Sequence, residues 1–335
     1  MALRISLLGL NQTAVSIGLA LQKNTAQLER VGSDADLIAE QKALHLKAID
    51  RIIHNLHAAV EKADVVILCL PVDEIHPTLE AIAPSLKPGA VILDTSPLSN
   101  TIFNWAKNLL PEERYLISFT PALNPAFLTD MDESLDKSSP EYFQRGLIVI
   151  TAPPETHADA LKLAGDLAEM IGGKPFYADP FEADGLMAMV DLLPKLAAAG
   201  LMRAAMNQPG WREGRKLAGR SFLEVTEPLL HLNEQKLLGQ SAIHNSDNAI
   251  RLLDALIGEL EDFREMLLNQ DDQALHQALN SAQQQRILWW KDRLEGMWDV
   301  PSTPSILPTS GQVIGRLFGL GKRPREQDKG NKPSK

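Results

Sequence analysis

The sequence predicts an α/β protein, a doubly wound and mostly parallel sheet followed by an all-helical domain. Three observations carry this. The first half alternates short apolar runs with segments of helical period, as strands joined by crossover helices require. One of those runs, "DVVILCLP", is apolar throughout, the pattern of a strand buried on both faces. From Pro180 onward, helical pattern follows helical pattern.

The elements follow in order. Leu3–Leu8 reads as the first strand and Ala14–Gln22 as a helix. Gln27–Ser33 reads as the second strand, ending at Asp34, and an interrupted helical region covers Asp36–Lys62. After "DVVILCLP" come a short helix in "HPTLEAIAPSL", a turn and strand in "KPGAVILDTS", a helix in "TIFNWAKNLL" and a strand in "RYLISFTPAL". "GLIVITAPP" is a further strand, "THADALKLAGDLAEMIG" a helix, and "GKPFYADP" the last strand. The alternation implies parallel neighbours. "FEADGLMAMVDLLPKLAAAGLMRAAMN" is apolar enough to belong at the centre of a core or a subunit interface. Ile250, Leu253, Ile257, Leu260, Phe263 and Leu267 repeat every three or four residues, marking an amphipathic helix with Ser246 as its N-cap. A last helix opens near Asp271 or Asp272 and carries Trp289 and Trp290, read as packing residues. From about residue 300 the Pro, Ser and Gly content and the basic end read as a disordered tail.

Composition narrows the function. The 335 residues carry a formal net charge of −10, which argues against a nucleic-acid or membrane-surface binder. The one cysteine, Cys69, excludes an internal disulfide and a cysteine metal cluster. It reads as a small buried hydrophobe and fits a reducing cytoplasm. No metal site or nucleophile triad is visible. No apolar stretch is read as approaching the ~18 residues of a membrane span.

The chemistry starts at "LRISLLGLNQTAVSIGLAL". A dinucleotide turn of the form G-x-G-x-x-G needs a first glycine for the tight turn, a second for approach of the pyrophosphate, and a third for helix packing, where alanine suffices. Here those positions hold Gly9, Asn11 and Ala14. Asparagine tolerates left-handed backbone, but its side chain is expected to crowd the phosphate. Asp34, at the end of the second strand, is placed to accept a hydrogen bond from an adenosine ribose, favouring NAD over NADP. The exit of the apolar strand, Leu70 and Pro71, joins Gly9, Asn11, Ala14 and Asp34 as the expected cofactor-binding set. The fold is thus Rossmann-like, with residues 1–178 as dinucleotide-binding domain, 179–299 as helical domain and 300–335 as tail.

At these stretches the chain resembles the prephenate/arogenate dehydrogenase family of tyrosine biosynthesis. "GLNQTAVSIGLAL", "VGSDAD", "ADVVILCLPVDEI", "LKPGAVILDTS", "FTPALNP", "FEADGLMAMVDLLPKLAAAGL" and "LAGRSFLEVT" keep that family's order from about residue 3 to 290. The resemblance implies a cytoplasmic homodimer, joined through the helical domain, that oxidises a small carboxylate substrate. Hydride passes to NAD, and the ring carboxylate leaves as CO₂. It also exposes substitutions. The family's serine and lysine after the strand ending at Asp94 fall on Pro97 and Ser99, with Ser96 adjacent. Its catalytic histidine before a proline is Thr120, and a threonine hydroxyl is no base at neutral pH. Its histidine-rich helix reads Ala183-Asp184 and then Asp191-Leu192-Leu193-Pro194-Lys195. Its carboxylate-clamping arginine falls near Leu223 and Glu227. The expected catalytic set is therefore Thr120, Ser96 and Lys195, the last on the helix that related hydroxyacid dehydrogenases use for a catalytic lysine. His76, with Asp73, is a further candidate at the strand edge. Three readings stand: a prephenate-type dehydrogenase, a dehydrogenase of another small acid using Lys195, and a catalytically inactive nucleotide-binding dimer.

Overall fold

A computed structural model describes residues 3–24, 28–230 and 235–296. Residues up to 287 form one compact unit. The tail expected from residue 300 lies outside the described residues.

Eight strands form one sheet. They are β1 (Leu3–Leu8), β2 (Leu28–Ser33), β3 (Arg51–Ile52), β4 (Val65–Leu68), β5 (Val91–Asp94), β6 (Tyr115–Pro121), β7 (Leu147–Thr151) and β8 (Lys174–Tyr177), in the order β3-β2-β1-β4-β5-β6-β7-β8. The helices of this half are α1 (Gln12–Leu21), α2 (Leu37–His45), α3 (Leu56–Val60), α4 (Val72–Ile82), α5 (Ser99–Leu109) and α6 (Ala158–Met170). The region 36–62 is interrupted as expected, and the interruption contains the short strand β3. The parallel expectation needs one correction. β7 runs antiparallel to β6, with Thr120 opposite Val149. No crossover helix separates these two strands, so the chain returns beside β6 in the opposite sense.

The sheet is buried on both faces because adjacent strand residues point to opposite sides. Ile5, Leu7 and Ile67 join the core cluster under α1 and α6, whereas Leu8, Val66, Leu68 and Ile92 join the one under α4 and α5. The chain leaves β1 toward β2 on one side and reaches β4 on the other. This strand-order reversal opens a crevice at the carboxyl edge, where ligands of such sheets bind. Gly9, Leu70, Ser96 and Thr120 all lie at this edge.

The helical part comprises α7 (Pro180–Met187), a π-turn at Ala188–Leu192, α8 (Leu193–Met206), α9 (Trp211–Leu217), α10 (Arg220–Thr226), α11 (Gln235–His244), α12 (Ser246–Leu268) and α13 (Asp272–Glu295). The π-turn has a local cause. Pro194 has no N–H to return to the preceding turn, so the helix widens before it. The N-cap of α12 is Asn245 rather than Ser246, and Asp271 caps α13 by accepting from the Ala274 N–H.

The apolar helix 180–206 requires one correction. Of the two places expected for it, the core takes one face, with Ala183, Ala188, Leu192 and Ala198 buried, while Phe181, Val190 and Met206 are exposed. By length and composition it is also apolar enough to cross a membrane, contrary to the expectation. Against a lipid setting, its Asp184 is buried in hydrogen bonds to α5, and its Asp191 and Lys195 form an ion pair. The stripe on α12 behaves similarly. Ala249 and Leu252 make its core contacts, while Ile250, Ile257, Leu260 and Leu267 face outward.

Candidate active site

The first hollow, about 530 Å³, lies over the β1–α1 turn and is lined by Gly9, Asn11, Asp34, His54, Leu70 and Pro71 among others. Gly9 takes φ +80°, and a Cβ there would stand 2.5 Å from the Cys69 carbonyl oxygen. Asn11 does not use its left-handed tolerance. Its backbone is extended (φ −74°), and its side chain folds back to cap α1. Oδ1 accepts the Ala14 N–H at 3.0 Å while Nδ2 donates to the Cys69 carbonyl at 3.0 Å. The helix-start N–H groups of Gln12 and Thr13 have no acceptor among the described residues. They form an anion site of the kind a pyrophosphate occupies. Ala14 is fully buried and packs the helix onto the sheet rather than lining the hollow.

Asp34 accepts the Leu10 N–H at 2.5 Å and the Asp36 N–H at 2.7 Å. Each carboxylate oxygen keeps a lone pair for a ribose hydroxyl. Buried Glu40 fixes this corner, accepting the Asp34 N–H at 3.1 Å and facing His54 Nδ1 at 3.1 Å. The glycine cradle, the open N–H pair and the paired carboxylate all fit a dinucleotide.

The second hollow, about 610 Å³, lies between the sheet edge and the helical part. It shares the wall Asn11, Cys69, Leu70 and Pro71 with the first, so the two lie side by side. Met187, Ala188, Asp191, Leu192 and Lys195 come to it on one face of α7, the π-turn and α8. Ser96, Pro97 and Thr120 come from the strand ends, Glu133 from the loop after β6, and Leu238, Ser241 and Asn245 from α11 and its exit. The loop is held against α1 by Gln12, whose side chain donates to the Asp132 carbonyl at 3.2 Å and accepts from the Tyr142 hydroxyl at 2.7 Å.

One carboxylate sets the helical part over the cleft. Residue Leu98 offers no cap for α5. Asp184 of α7 caps it instead, accepting the N–H groups of Ser99 (2.6 Å) and Asn100 (3.1 Å) and the Asn100 side chain (2.8 Å). Asn245 in turn donates to the Asp184 carbonyl at 2.9 Å.

All three expected catalytic residues line this cleft. Lys195 Nζ pairs with Asp191 at 2.7 Å. Thr120 donates to the main-chain carbonyl of Ser96 at 2.8 Å. Ser96 donates to Asp94 at 2.6 Å. His76 is not brought in; its ring meets Trp105 edge-on at 5.3 Å. Leu223 and Glu227 are not among the cleft-lining residues. Sequence reasoning missed Asp94, Asp191, Glu133 and Asn245 as members or neighbours of the site. Asp94 carried a readable signal, an aspartate closing an apolar strand.

Asp94 is buried in the sheet, and one of its oxygens has no hydrogen-bond partner among the described residues. Burial pushes its carboxyl up to about 7, against the opposing pull of the Ser96 hydroxyl and N–H. Burial also pushes the neighbouring Cys69 thiol up to about 12, so it stays neutral. The raised carboxyl couples to stability. Between about pH 4 and about pH 7 the folded chain holds a proton the unfolded chain has released. Stability therefore falls as pH rises through that window, by about 4 kcal/mol in all. Asp94→Asn carries no such penalty. Its urea midpoint relative to wild type is expected to shift upward between about pH 5 and about pH 8.

Fold and site together define a protein with a dinucleotide-shaped hollow along a sheet edge and, beside it, a cleft walled by the helical part. The chain belongs to the prephenate dehydrogenase family. It matches "Prephenate dehydrogenase, nucleotide-binding domain" over residues 17–177 and "Prephenate dehydrogenase, dimerization domain" over 179–281. It is 24% identical over 256 residues to a cyclohexadienyl dehydrogenase of Zymomonas mobilis, covering 76% of this chain and 85% of that protein. It is 22% identical over 285 residues to the prephenate dehydrogenase of Bacillus subtilis, covering 84% and 75%. Its fold is like that of a prephenate dehydrogenase from A. aeolicus solved in complex with hydroxyphenyl propionate and NAD+, with TM-score 0.74 and 17% identity over 86% of this chain and 98% of that one.

Proposed function

We propose that the chain is an NAD-dependent oxidoreductase of the prephenate dehydrogenase type, acting on a small cyclohexadienyl carboxylate in tyrosine biosynthesis. The observation that carries this is that the two hollows share one wall. A dinucleotide held at Asp34 and the α1 N-terminus would lie beside Leu70 and Pro71, which also line a cleft with polar groups on both walls. The division at residue 178, between the two matched regions, belongs to this reading.

When bound, NAD supplies the hydride acceptor. The chain's own residues do the rest. Gly9 admits the phosphates, the Gln12 and Thr13 N–H groups hold them, and Asp34 takes the ribose. Lys195, held by Asp191, presents an ammonium to the substrate carboxylate. Pro97, Leu98, Leu192 and Leu238 wall the cleft against water. Two copies joined through the outward apolar faces of α8 and α12 form the dimer, in the cytoplasm.

A fluorescence titration with NADH and NADPH tests the cofactor, with NADH expected to bind more tightly because Asp34 repels a 2′-phosphate. Turnover of prephenate and arogenate tests the reaction, and light scattering tests the dimer. Lys195→Ala is expected to raise KM roughly 10-fold to 100-fold, the worth of a charge-assisted hydrogen bond, while NADH binding is retained. The second reading, a dehydrogenase of another small acid, is favoured by the placement of Lys195 in the cleft. It predicts instead that Lys195→Ala loses kcat.

A further inference from the structure

Among the described residues that line the cleft, Thr120 stands where the resemblance expects an imidazole, yet a group able to take a proton lies just behind the lining. Asp94 ends β5 beneath the cleft floor, 1% exposed. Ser96, which lines the cleft, directs its hydroxyl proton to Asp94 Oδ2 at 2.6 Å. That commitment leaves the Ser96 oxygen lone pairs for a donor in the cleft. Thr120 spends its own proton on the Ser96 carbonyl and so holds the turn in place. The other Asp94 oxygen, Oδ1, is buried without a partner among the described residues.

We propose that Ser96 and Asp94 form a proton relay that accepts the substrate's ring hydroxyl proton, Ser96 touching the substrate and Asp94 acting through it. This rests on the prephenate-type reading. With NAD bound as the hydride acceptor, the hydroxyl proton would pass to Ser96 Oγ and the Ser96 proton to Asp94 as hydride is lost from the carbinol carbon. When the ring carboxylate leaves as CO₂, its bonding pair enters the ring. The ring oxygen then regains a proton from the same pair, and the phenol results. The proton is lent and returned, so the reaction balances with one hydride transferred and one CO₂ released.

The carboxyl suits the task, since burial pushes it up to about 7, near the optimum for a base working at neutral pH. Other titratable groups on the surrounding elements are Cys69 after β4, Asp73, Glu74 and His76 on α4, and Asp184 on α7. Asp191, Lys195 and Glu133 line the cleft itself. The Asp94 charge adds to burial in raising the Cys69 thiol, which stays neutral.

The test is the pH profile of kcat for prephenate and arogenate with NAD, spanning about two units either side of pH 7. Wild-type kcat is expected to rise with pH through about 7, because the relay needs the carboxylate. Asp94→Asn and Ser96→Ala are expected to lower kcat roughly 100-fold or more and erase that inflection, with KM and NADH binding little changed. Ser96→Thr, which keeps the hydroxyl, is expected to recover most of the rate. An isotope-edited infrared titration, which needs no turnover, should show a carboxyl deprotonating near 7 in wild type and missing in Asp94→Asn. Asp94→Asn with wild-type kcat and profile, or an Asp94 carboxyl titrating near the ordinary 3.8, overturns the relay alone. A wild type that turns over neither substrate overturns the reading of the reaction, and the relay with it.

Discussion

Gly9→Ala is expected to weaken NADH binding by roughly 100-fold or more, about 2.7 kcal/mol. Two effects combine. At φ +80° an L side chain pays roughly 1–2 kcal/mol in backbone strain. The added Cβ would also stand 2.5 Å from the backbone oxygen of Cys69, with the Leu70 side chain at 2.8 Å. The Cys69 carbonyl directly follows β4 and is held by the Asn11 side-chain amide, so the β1–α1 turn must lift from β4 instead. That movement displaces the Gln12 and Thr13 N–H pair from where a pyrophosphate would meet it. Gly89 supplies the control. It has φ +79° but nothing within 4 Å of its Cβ position, so Gly89→Ala carries the strain without the collision. Urea midpoints of both variants separate the two, the excess loss in Gly9→Ala being the collision, and a fluorescence titration of Gly9→Ala reads the effect on NADH. Equal midpoints in the two variants, or wild-type NADH affinity in Gly9→Ala, would remove the close-approach argument.

Asp184→Ala is expected to cost roughly 3–5 kcal/mol of stability, read as a lower urea midpoint. The carboxylate accepts two backbone N–H groups and one side-chain amide at the start of α5. Ser99 is 3% exposed, so water cannot replace the lost acceptor at its N–H. Asp184→Asn keeps one acceptor oxygen and should lose about half as much. The same carboxylate ties α7 to the sheet edge, and Asn245 hangs on its carbonyl. Turnover should therefore fall more than NADH affinity, since the helical wall of the cleft moves while the β1–α1 turn stays. An unchanged urea midpoint in Asp184→Ala would refute this account of how the helical part is seated.

The sheet was largely legible because its signal is local. "DVVILCLP" and "AVILD" can be read as buried strands without knowing their neighbours. Gly9 was legible for the same reason, since a tight turn after a strand demands it. The antiparallel β7 was not, because strand direction depends on where the intervening chain lies. The capping role of Asn11 was also missed. Its side chain was expected in the phosphate position, and hydrogen bonds to Ala14 and Cys69 draw it away. Asp94 was visible as the end of a strand. Only the closing of the sheet and helices around it shows a carboxyl stripped of water.

From the sequence alone follow the two-part architecture and the nucleotide turn with Asp34, because hydrophobic period and turn chemistry act over a few residues; the candidates Ser96, Thr120 and Lys195 come from the family resemblance. The tertiary structure decided what those candidates do. It set Lys195 beside Asp191, turned the Thr120 proton to the Ser96 carbonyl, and put an aspartate behind Ser96 where burial raises its affinity for a proton. Desolvation and hydrogen-bond direction are properties of neighbours distant in the chain, and no local pattern encodes them.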